Sequence, residues 1–460
     1  MVILRNVPRR SIALIVCEGL VILGAVTVAA HVRLEDVKIT GSGGILSRAL
    51  LVAVVTQLCM YFGDLYDFKT LVDRRELFVR SVQSLAAASM ILAGVYYWFP
   101  DLIIGRGVFI VAACFIIGLL FGWRLAFEWT SRHLAPTNRL LLVGTGAGAV
   151  KLARELFDRR ELGVDIIGFI DPDPTRVGAS VINPGVIGTI EDIPAIVRAK
   201  AVDAVVVSLS EARGTLPMDK LLEMKLDGVR FEHLASVYER YTGKIAIENL
   251  RPSWLIFSEG FRKSRAEESI KRLMDFSLAI VGLVVAFPVM LLVAMVVRVT
   301  SAGPAVYRQQ RVGQHGRVFT VYKFRTMRVD AEKETGAVWA RRDDDRATPV
   351  GRVLRRTRLD ELPQLWNVLR GDMSLVGPRP ERPEFVRSLT DEIRFYGQRH
   401  VVRPGLTGWA QVCYTYGASV EDAMEKLQYD LFYIKHRSTA LDLFILAKTV
   451  KTVVLRRGAH

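Results

Sequence analysis

Residues 271–298 read KRLMDFSLAIVGLVVAFPVMLLVAMVVR. The apolar part, Leu273–Val297, is long enough to cross a hydrocarbon core of about 30 Å at about 1.5 Å per residue. Lys271, Arg272 and Arg298 flank it, and Asp275 and Ser277 lie near its start. Pro288 sits inside, where a missing N–H and a ring clash kink a helix. Hydropathy alone permits an ordinary kinked span. A turn at Pro288 would instead make a re-entrant helical hairpin over residues 270–299. The two alternatives put everything after Thr300 on opposite sides of a membrane.

Four further apolar runs precede it, near Ile12–Ala30, Ile45–Phe62, Val82–Phe99 and Val108–Phe127. Together they predict a four-helix transmembrane bundle over residues 1–135. The N-terminal run continues through Ala30 without a clean small-x-small cleavage site, so it reads as a retained anchor rather than a signal peptide. Arg5, Arg9 and Arg10 precede the first run, Lys69, Arg74, Arg75 and Arg80 lie between the second and third, and Arg124, Arg132 and Arg139 follow the fourth. The other two loops carry fewer cations, so the positive-inside rule puts both ends of the bundle in the cytoplasm.

The bulk numbers agree with a membrane protein. The 460 residues are 51% hydrophobic, yet the net charge is +15. Apolar and basic together suit a cationic face against a membrane. A nucleic-acid partner is not expected, because no zinc-finger spacing or RNP-like aromatic motif is present. Cys17, Cys59, Cys114 and Cys413 form no CxxC pair, which argues against a zinc site or a disulfide framework.

Residues 136–262 read as a Rossmann-like α/β domain. Arg139–Val143 is a short apolar strand that enters Gly144-Thr145-Gly146-Ala147-Gly148-Ala149 and then a helix, Val150–Arg159. Strand Ile166–Ile170 ends at Asp171; helix Ile193–Lys200 leads to strand Ala204–Ser208. This alternation predicts a parallel, doubly wound sheet. Gly144 and Gly146 fit a GxGxxA dinucleotide fingerprint, with Asp171 near the ribose position. A tight strand-to-helix turn needs glycine in any case, so a regulatory or dimerisation module, and with it a homodimer, is the alternative.

From Ser301 the chain is cationic and rich in Gly, Pro and Arg. It predicts several short helices, including Leu362–Leu369 and Ser419–Lys435, and an amphipathic helix over Leu441–Leu455 suited to lie among membrane lipids. Its densest stretch is Arg355-Arg356-Thr357-Arg358-Leu359-Asp360-Glu361-Leu362-Pro363-Gln364-Leu365, followed by Gly371-Asp372-Met373-Ser374-Leu375-Val376-Gly377-Pro378-Arg379-Pro380. Carboxylates and arginines between rigid turns suit a site that holds a metal and a diphosphate, since arginine forks match phosphate oxygens and Mg²⁺ takes carboxylate and phosphate oxygens.

Residues 263–460 resemble the bacterial sugar transferases, the polyprenyl-phosphate hexose-1-phosphate transferases or monotopic phosphoglycosyl transferases. The two stretches above carry the resemblance, with Pro304, Gln310-Arg311-Val312-Gly313, Lys323-Phe324-Arg325-Thr326-Met327, Arg403-Pro404-Gly405-Leu406-Thr407-Gly408-Trp409-Ala410-Gln411 and Tyr429-Asp430. The bundle and α/β domain are similar to those of the long members that start exopolysaccharide or O-antigen repeat units. The resemblance implies a mostly helical catalytic domain at the bacterial inner membrane, in a multi-pass protein. It also implies transfer of hexose 1-phosphate from a UDP-sugar, UDP-glucose or UDP-galactose, to undecaprenyl phosphate, with release of UMP. A cytoplasmic nucleotide then requires the fifth apolar run to turn back at Pro288.

The resemblance makes Asp360 the nucleophile and, with Glu361, the ligand pair for Mg²⁺. It places Arg355 and Arg379 on phosphate oxygens and makes Asp430 a further acidic member of the site. Lys323 and Arg325 are candidates for the lipid phosphate, and Arg403 for a phosphate or for its own turn. His400 and Asp372 read as structural. A membrane-bound NAD-dependent nucleotide-sugar dehydratase is disfavoured, because no lysine has a tyrosine four residues upstream. A non-catalytic scaffold for polysaccharide assembly is disfavoured by the Asp360-Glu361 pair and its arginines.

Overall fold

The computed structural model describes residues 9–33, 45–66, 74–103, 138–159, 162–207, 218–247, 260–331 and 345–454, with isolated exceptions and a few further single positions. They divide into two compact units, residues 1–234 and 235–460.

The first unit opens with helices α1 (Arg9–Arg33), α2 (Ile45–Phe62) and α3 (Arg74–Trp98). Small residues let them approach closely: Ala25, Ala29, Ala49 and Ala53 are buried with Ile22, Val26 and Met60 in one core. Leu77–Trp98 is long and apolar enough to cross a membrane, while Leu14–Ala29 and Leu46–Phe62 are shorter apolar helices. Gln57 donates to the Ile15 carbonyl at 2.7 Å, and Arg80 pairs with Asp64 at 3.3 Å. The expected fourth run, Val108–Phe127, lies outside the described residues except at five positions.

The α/β part is a five-stranded parallel sheet in the order β3-β2-β1-β4-β5. The strands are β1 (Asn138–Val143), β2 (Val164–Ile170), β3 (Val186–Gly188), β4 (Ala204–Val207) and β5 (Arg230–His233). β1 is central, with Leu140 to Val143 all buried, as a strand covered on both faces requires. Helices α4 (Ala147–Phe157), α5 (Ile193–Lys200) and α6 (Met218–Leu226) alternate with the strands. β3 and β5 are absent from the sequence reading: β3 has three residues, and Arg230-Phe-Glu-His carries charge on an edge strand.

The second unit begins with most of α7 (Leu234–Thr242), pinned by Glu239 accepting from Lys435 at 2.8 Å and contacting His436. α8 (Arg265–Thr300) follows, started by a Ser264/Glu267 capping box. It is one unbroken helix with Pro288 inside. Where the sequence predicts two helices around a turn at Pro288, the backbone is helical on both sides of the proline, so any change of direction there is a bend within one helix. Phe276, Val284, Phe287, Leu291 and Val299 are all exposed on it, a run of apolar surface that water would not tolerate.

Both ends of α8 dock on one domain. Near its start, Arg272 donates to the Val368 and Leu369 carbonyls, both at 2.7 Å. Asp275, 1% exposed, accepts from the Ser374 hydroxyl at 2.8 Å and the Leu375 N–H at 3.1 Å. Lys271 pairs with the fully buried Asp442 at 2.7 Å. Near its end, Val293 and Val297 pack with Phe324 and Leu354, and Arg325 donates to the Ser301 carbonyl at 2.9 Å.

The remaining elements are a hairpin, β6 (Val306–Val312) and β7 (Val318–Phe324), helices α9 (Pro349–Thr357) and α10 (Gln364–Arg370), and a parallel pair, β8 (Ser374–Val376) and β9 (Gly405–Thr407). Helices α11 (Pro383–Glu392), α12 (Trp409–Cys413), α13 (Val420–His436) and α14 (Thr439–Val454) complete it. α10, α13 and α14 match the expected helices to within a few residues. The antiparallel hairpin was not expected from the sequence.

Candidate active site

Arg358 ends α9 in the left-handed region (φ 59°). The chain then makes a single 3₁₀ turn, Leu359–Glu361, before α10. Leu359 and Leu362 pack onto Val293, Val297, Phe324 and Leu354. This apolar grip seats the Asp360-Glu361 pair against the long apolar helix α8.

Three cations converge on one oxygen of Glu361. Arg379 Nη2 lies 2.6 Å from Oε1, Lys323 Nζ 3.3 Å and Arg358 Nη1 3.9 Å. Although burial works the other way, Arg379 and Lys323 hold this carboxyl well below the usual range. Asp360 differs. It is 7% exposed, and its Oδ1 is buried without a hydrogen-bond partner. Burial first, then repulsion from Glu361, pushes its carboxyl up to about 6, against Lys323, Arg379 and Arg355. Adjacent acids thus occupy different states: Glu361 is neutralised by its partners, while Asp360 keeps an unspent lone pair at neutral pH.

Arg355 turns its Nε to the Thr326 hydroxyl at 2.9 Å while its charge acts on Asp360. Lys323 is lowered by burial, with Glu361 opposing. Arg325 faces the end of α8 rather than the carboxylates; it is 7% exposed, and its Nε and Nη1 are buried without partners. Arg403 contributes backbone: its carbonyl lies 2.5 Å from where a Cβ on Gly377 would sit, so only glycine lets the two loops meet. Asp430 stands one layer back. It is 1% exposed and pairs at 2.8 Å with Arg399, which also donates to the Arg379 carbonyl at 2.9 Å.

Arg399 carries no signal in the sequence, and Arg311 stands there only within the Gln310–Gly313 block, without a role. Arg311 donates to the Pro380 carbonyl at 3.0 Å and lies 3.4 Å from Glu381, so the two arginines hold the loop carrying Arg379 from either side. Burial, then Arg399, lowers His400 to about 4 and keeps it neutral at pH 7. Asp372 takes Arg370 at 3.4 Å and braces the turn at Gly371 (φ 90°). Ser277 and Pro288 are both exposed on α8. Among the described residues no cluster of three or more His, Cys, Asp or Glu could hold a metal by itself.

Comparison with known proteins decides the family. Residues 266–456 match the bacterial sugar transferase family, and residues 62–221 match a CoA-binding domain. A putative undecaprenyl-phosphate N-acetylgalactosaminyl 1-phosphate transferase of Bacillus subtilis is 50% identical over 131 residues, covering 28% of this chain and 73% of the relative. The chain belongs to the bacterial sugar transferase family. The UDP-N-acetylgalactosamine-undecaprenyl-phosphate N-acetylgalactosaminephosphotransferase of Aeromonas hydrophila is 42% identical over 228 residues, 50% of this chain and 53% of the relative. The undecaprenyl-phosphate glucose phosphotransferase of Komagataeibacter xylinus is 32% identical over 363 residues, 76% of this chain and 65% of the relative. The chain thus spans between half and two thirds of the length of these two relatives.

In the α/β domain the fingerprint residues serve the fold. Gly144 takes φ 105°, and its N–H bonds the Ile170 carbonyl; Gly146 precedes α4. Asp171 is 4% exposed, and its Oδ2 accepts from the Thr145 hydroxyl and from Arg176 at 2.9 Å. Its Oδ1 accepts from the Asp173 N–H at 3.0 Å, so both oxygens are engaged within the chain.

Proposed function

We propose that the protein transfers hexose 1-phosphate from a UDP-sugar to undecaprenyl phosphate through a covalent intermediate on Asp360. The observation that carries this reading is the buried, unpartnered Oδ1 of Asp360 beside a carboxylate drawn into Arg379, Lys323 and Arg358. Asp360 attacks the phosphorus that bears the sugar, the P–O bond to UMP breaks, and UMP leaves with that electron pair. Undecaprenyl phosphate then attacks the same phosphorus, giving the lipid diphosphosugar and freeing Asp360. Arg379 and Arg355 offset the repulsion between the incoming carboxylate and the diphosphate.

With Asp360 Oδ1 left for the phosphorus, the remaining carboxylate oxygens of the pair fit a Mg²⁺ that takes its other ligands from substrate phosphates. Asp360 and Glu361 would hold it, and it would supply charge neutralisation at the diphosphate. At limiting Mg²⁺, the first-turnover rate of UMP release should fall tenfold per pH unit below about 6, as Asp360 protonates. More Mg²⁺ should move that midpoint downward, because cation and proton compete for the same oxygens. A midpoint indifferent to Mg²⁺ would take the cation away from Asp360.

The same reading places the catalytic domain on the cytoplasmic face of the bacterial inner membrane, behind a four-span bundle, with α8 re-entering the bilayer as a bent helix. A 36-residue helix is about 54 Å long if straight, well beyond a hydrocarbon core of about 30 Å. Spanning would part the contacts of Lys271, Arg272 and Asp275 from those of Val297 and Ser301, yet both sets reach one domain. A bend at Pro288 lets both ends stay at one interface.

The donor is open among UDP-glucose, UDP-galactose and the N-acetylgalactosamine form for which the Aeromonas relative is named. Purified protein incubated with each UDP-sugar, without lipid, should release one equivalent of UMP and gain the mass of one glycosyl phosphate with one of them. Steady turnover with no such adduct rejects the covalent route.

A further inference from the structure

Gln364 carries a feature that the two-acid scheme does not use. It is 3% exposed, and its Nε2 is buried with no hydrogen-bond partner. An unmade bond of this kind costs about 1–3 kcal/mol, so the amide calls for a partner from outside the chain.

The surroundings say which ligand. Leu362 and Pro363 keep right-handed helical angles between the 3₁₀ turn and α10, so Gln364 stands about one turn beyond Asp360. One turn further, Asn367 donates to the Thr320 carbonyl at 2.7 Å and accepts from the Tyr322 N–H at 3.1 Å. The next residue of β7, Lys323, reaches Glu361. The inward side of residues 360–367 is therefore laid against β7, where the cations converge. Asn367 is satisfied there, while a lone acceptor, Asp360 Oδ1, and a lone donor, Gln364 Nε2, both buried and about a turn apart along the chain, remain unbonded to each other. A group that offers an electrophilic centre to the acceptor and an oxygen to the donor fits both. A phosphoryl group does so.

We propose that Gln364 is a catalytic residue whose amide N–H donates to a non-bridging oxygen of the phosphoryl group as Asp360 attacks it. The inference rests on the covalent reading above. A neutral donor suits this position. It stabilises charge gathering on the phosphoryl oxygens without pairing with Asp360 as a cation would, and it is fixed in place by burial before the substrate arrives.

Gln364→Met keeps the side-chain length and removes the donor. Because Nε2 has no protein partner, the melting temperature should hold or rise. kcat for UMP release should fall about 100-fold with KM for the UDP-sugar within threefold of wild type, the effect of losing one preorganised donor. Gln364→Glu, which keeps the shape but adds a like charge near Asp360, should lose at least as much. A kcat within threefold of wild type in either variant, or a raised KM with kcat kept, overturns the assignment. So does a marked drop in melting temperature for Gln364→Met, which would expose a structural partner. Wild-type protein run in parallel separates the two levels: if it forms no glycosyl-phosphate adduct, the covalent reading itself has failed.

Discussion

Asp360→Asn should abolish adduct formation and cut UMP release by about 10⁴-fold or more, while raising the melting temperature at pH 7. The loss follows from chemistry, since an amide oxygen cannot displace UMP from phosphorus at a useful rate. The gain in stability follows from linkage. Burial and Glu361 raise the carboxyl of Asp360 from 3.8 to about 6, so the folded state favours the neutral form. The stability tied to that proton is fully present below about pH 4 and is lost as pH rises through about 6. At pH 7 the charged form carries the whole penalty, about 3 kcal/mol for a shift of about two pH units. Asparagine removes the charge and should recover about 1–3 kcal/mol of it. At pH 4 the two proteins should melt together. A variant that is inactive but less stable at pH 7 would mean that the charge is supported by contacts that burial and repulsion do not outweigh. A variant that still releases UMP near the wild-type rate would remove Asp360 from the chemistry.

The parts of the fold that were legible are those written in local periodicity. Arg139–Val143 is an apolar run ending in glycine, and Ile193–Lys200 has an apolar stripe, Pro near its start and cations in its last turn. Both stand where they were expected. The hairpin β6–β7 was hidden because its first strand carries Arg308, Gln309, Gln310 and Arg311 where an alternating apolar face would announce a strand. Pro288 suggests a turn because a sequence shows the missing N–H but not that the backbone stays helical on both sides of it. In the site, Asp360 and Glu361 are neighbours in the chain and so were visible together. The approach of Lys323 and Arg379 to one oxygen of Glu361 spans 38 and 18 positions, and only folding reveals it. Arg399 lay in an unremarkable stretch, and nothing local ties it to Asp430 or to the Arg379 carbonyl.

That hidden tie should have a large effect. Arg399 and Asp430 form a pair with side chains 7% and 2% exposed, and Arg399 also meets the Tyr396 hydroxyl at 2.6 Å. Arg399→Met would leave Asp430 buried without its cation, a change that costs about 3–5 kcal/mol. Burial already raises Asp430, with Arg399 working against it, so the variant should meet this cost partly by taking up a proton. Its melting temperature should therefore recover in part as pH falls. The double variant Arg399→Met/Asp430→Leu removes both charges and should regain most of the stability at pH 7, because two apolar side chains of similar volume often replace a buried ion pair without loss. Activity should not return with it. The Arg379 carbonyl would still lack its 2.9 Å anchor, and a small drift of Arg379 from Glu361 and the diphosphate can cost about 100-fold in rate. Denaturant titration and UMP release on the same two variants check both halves. Activity restored in the stable double variant would reduce Arg399 to a packing role and leave Arg379 to be held by Arg311 and its loop alone.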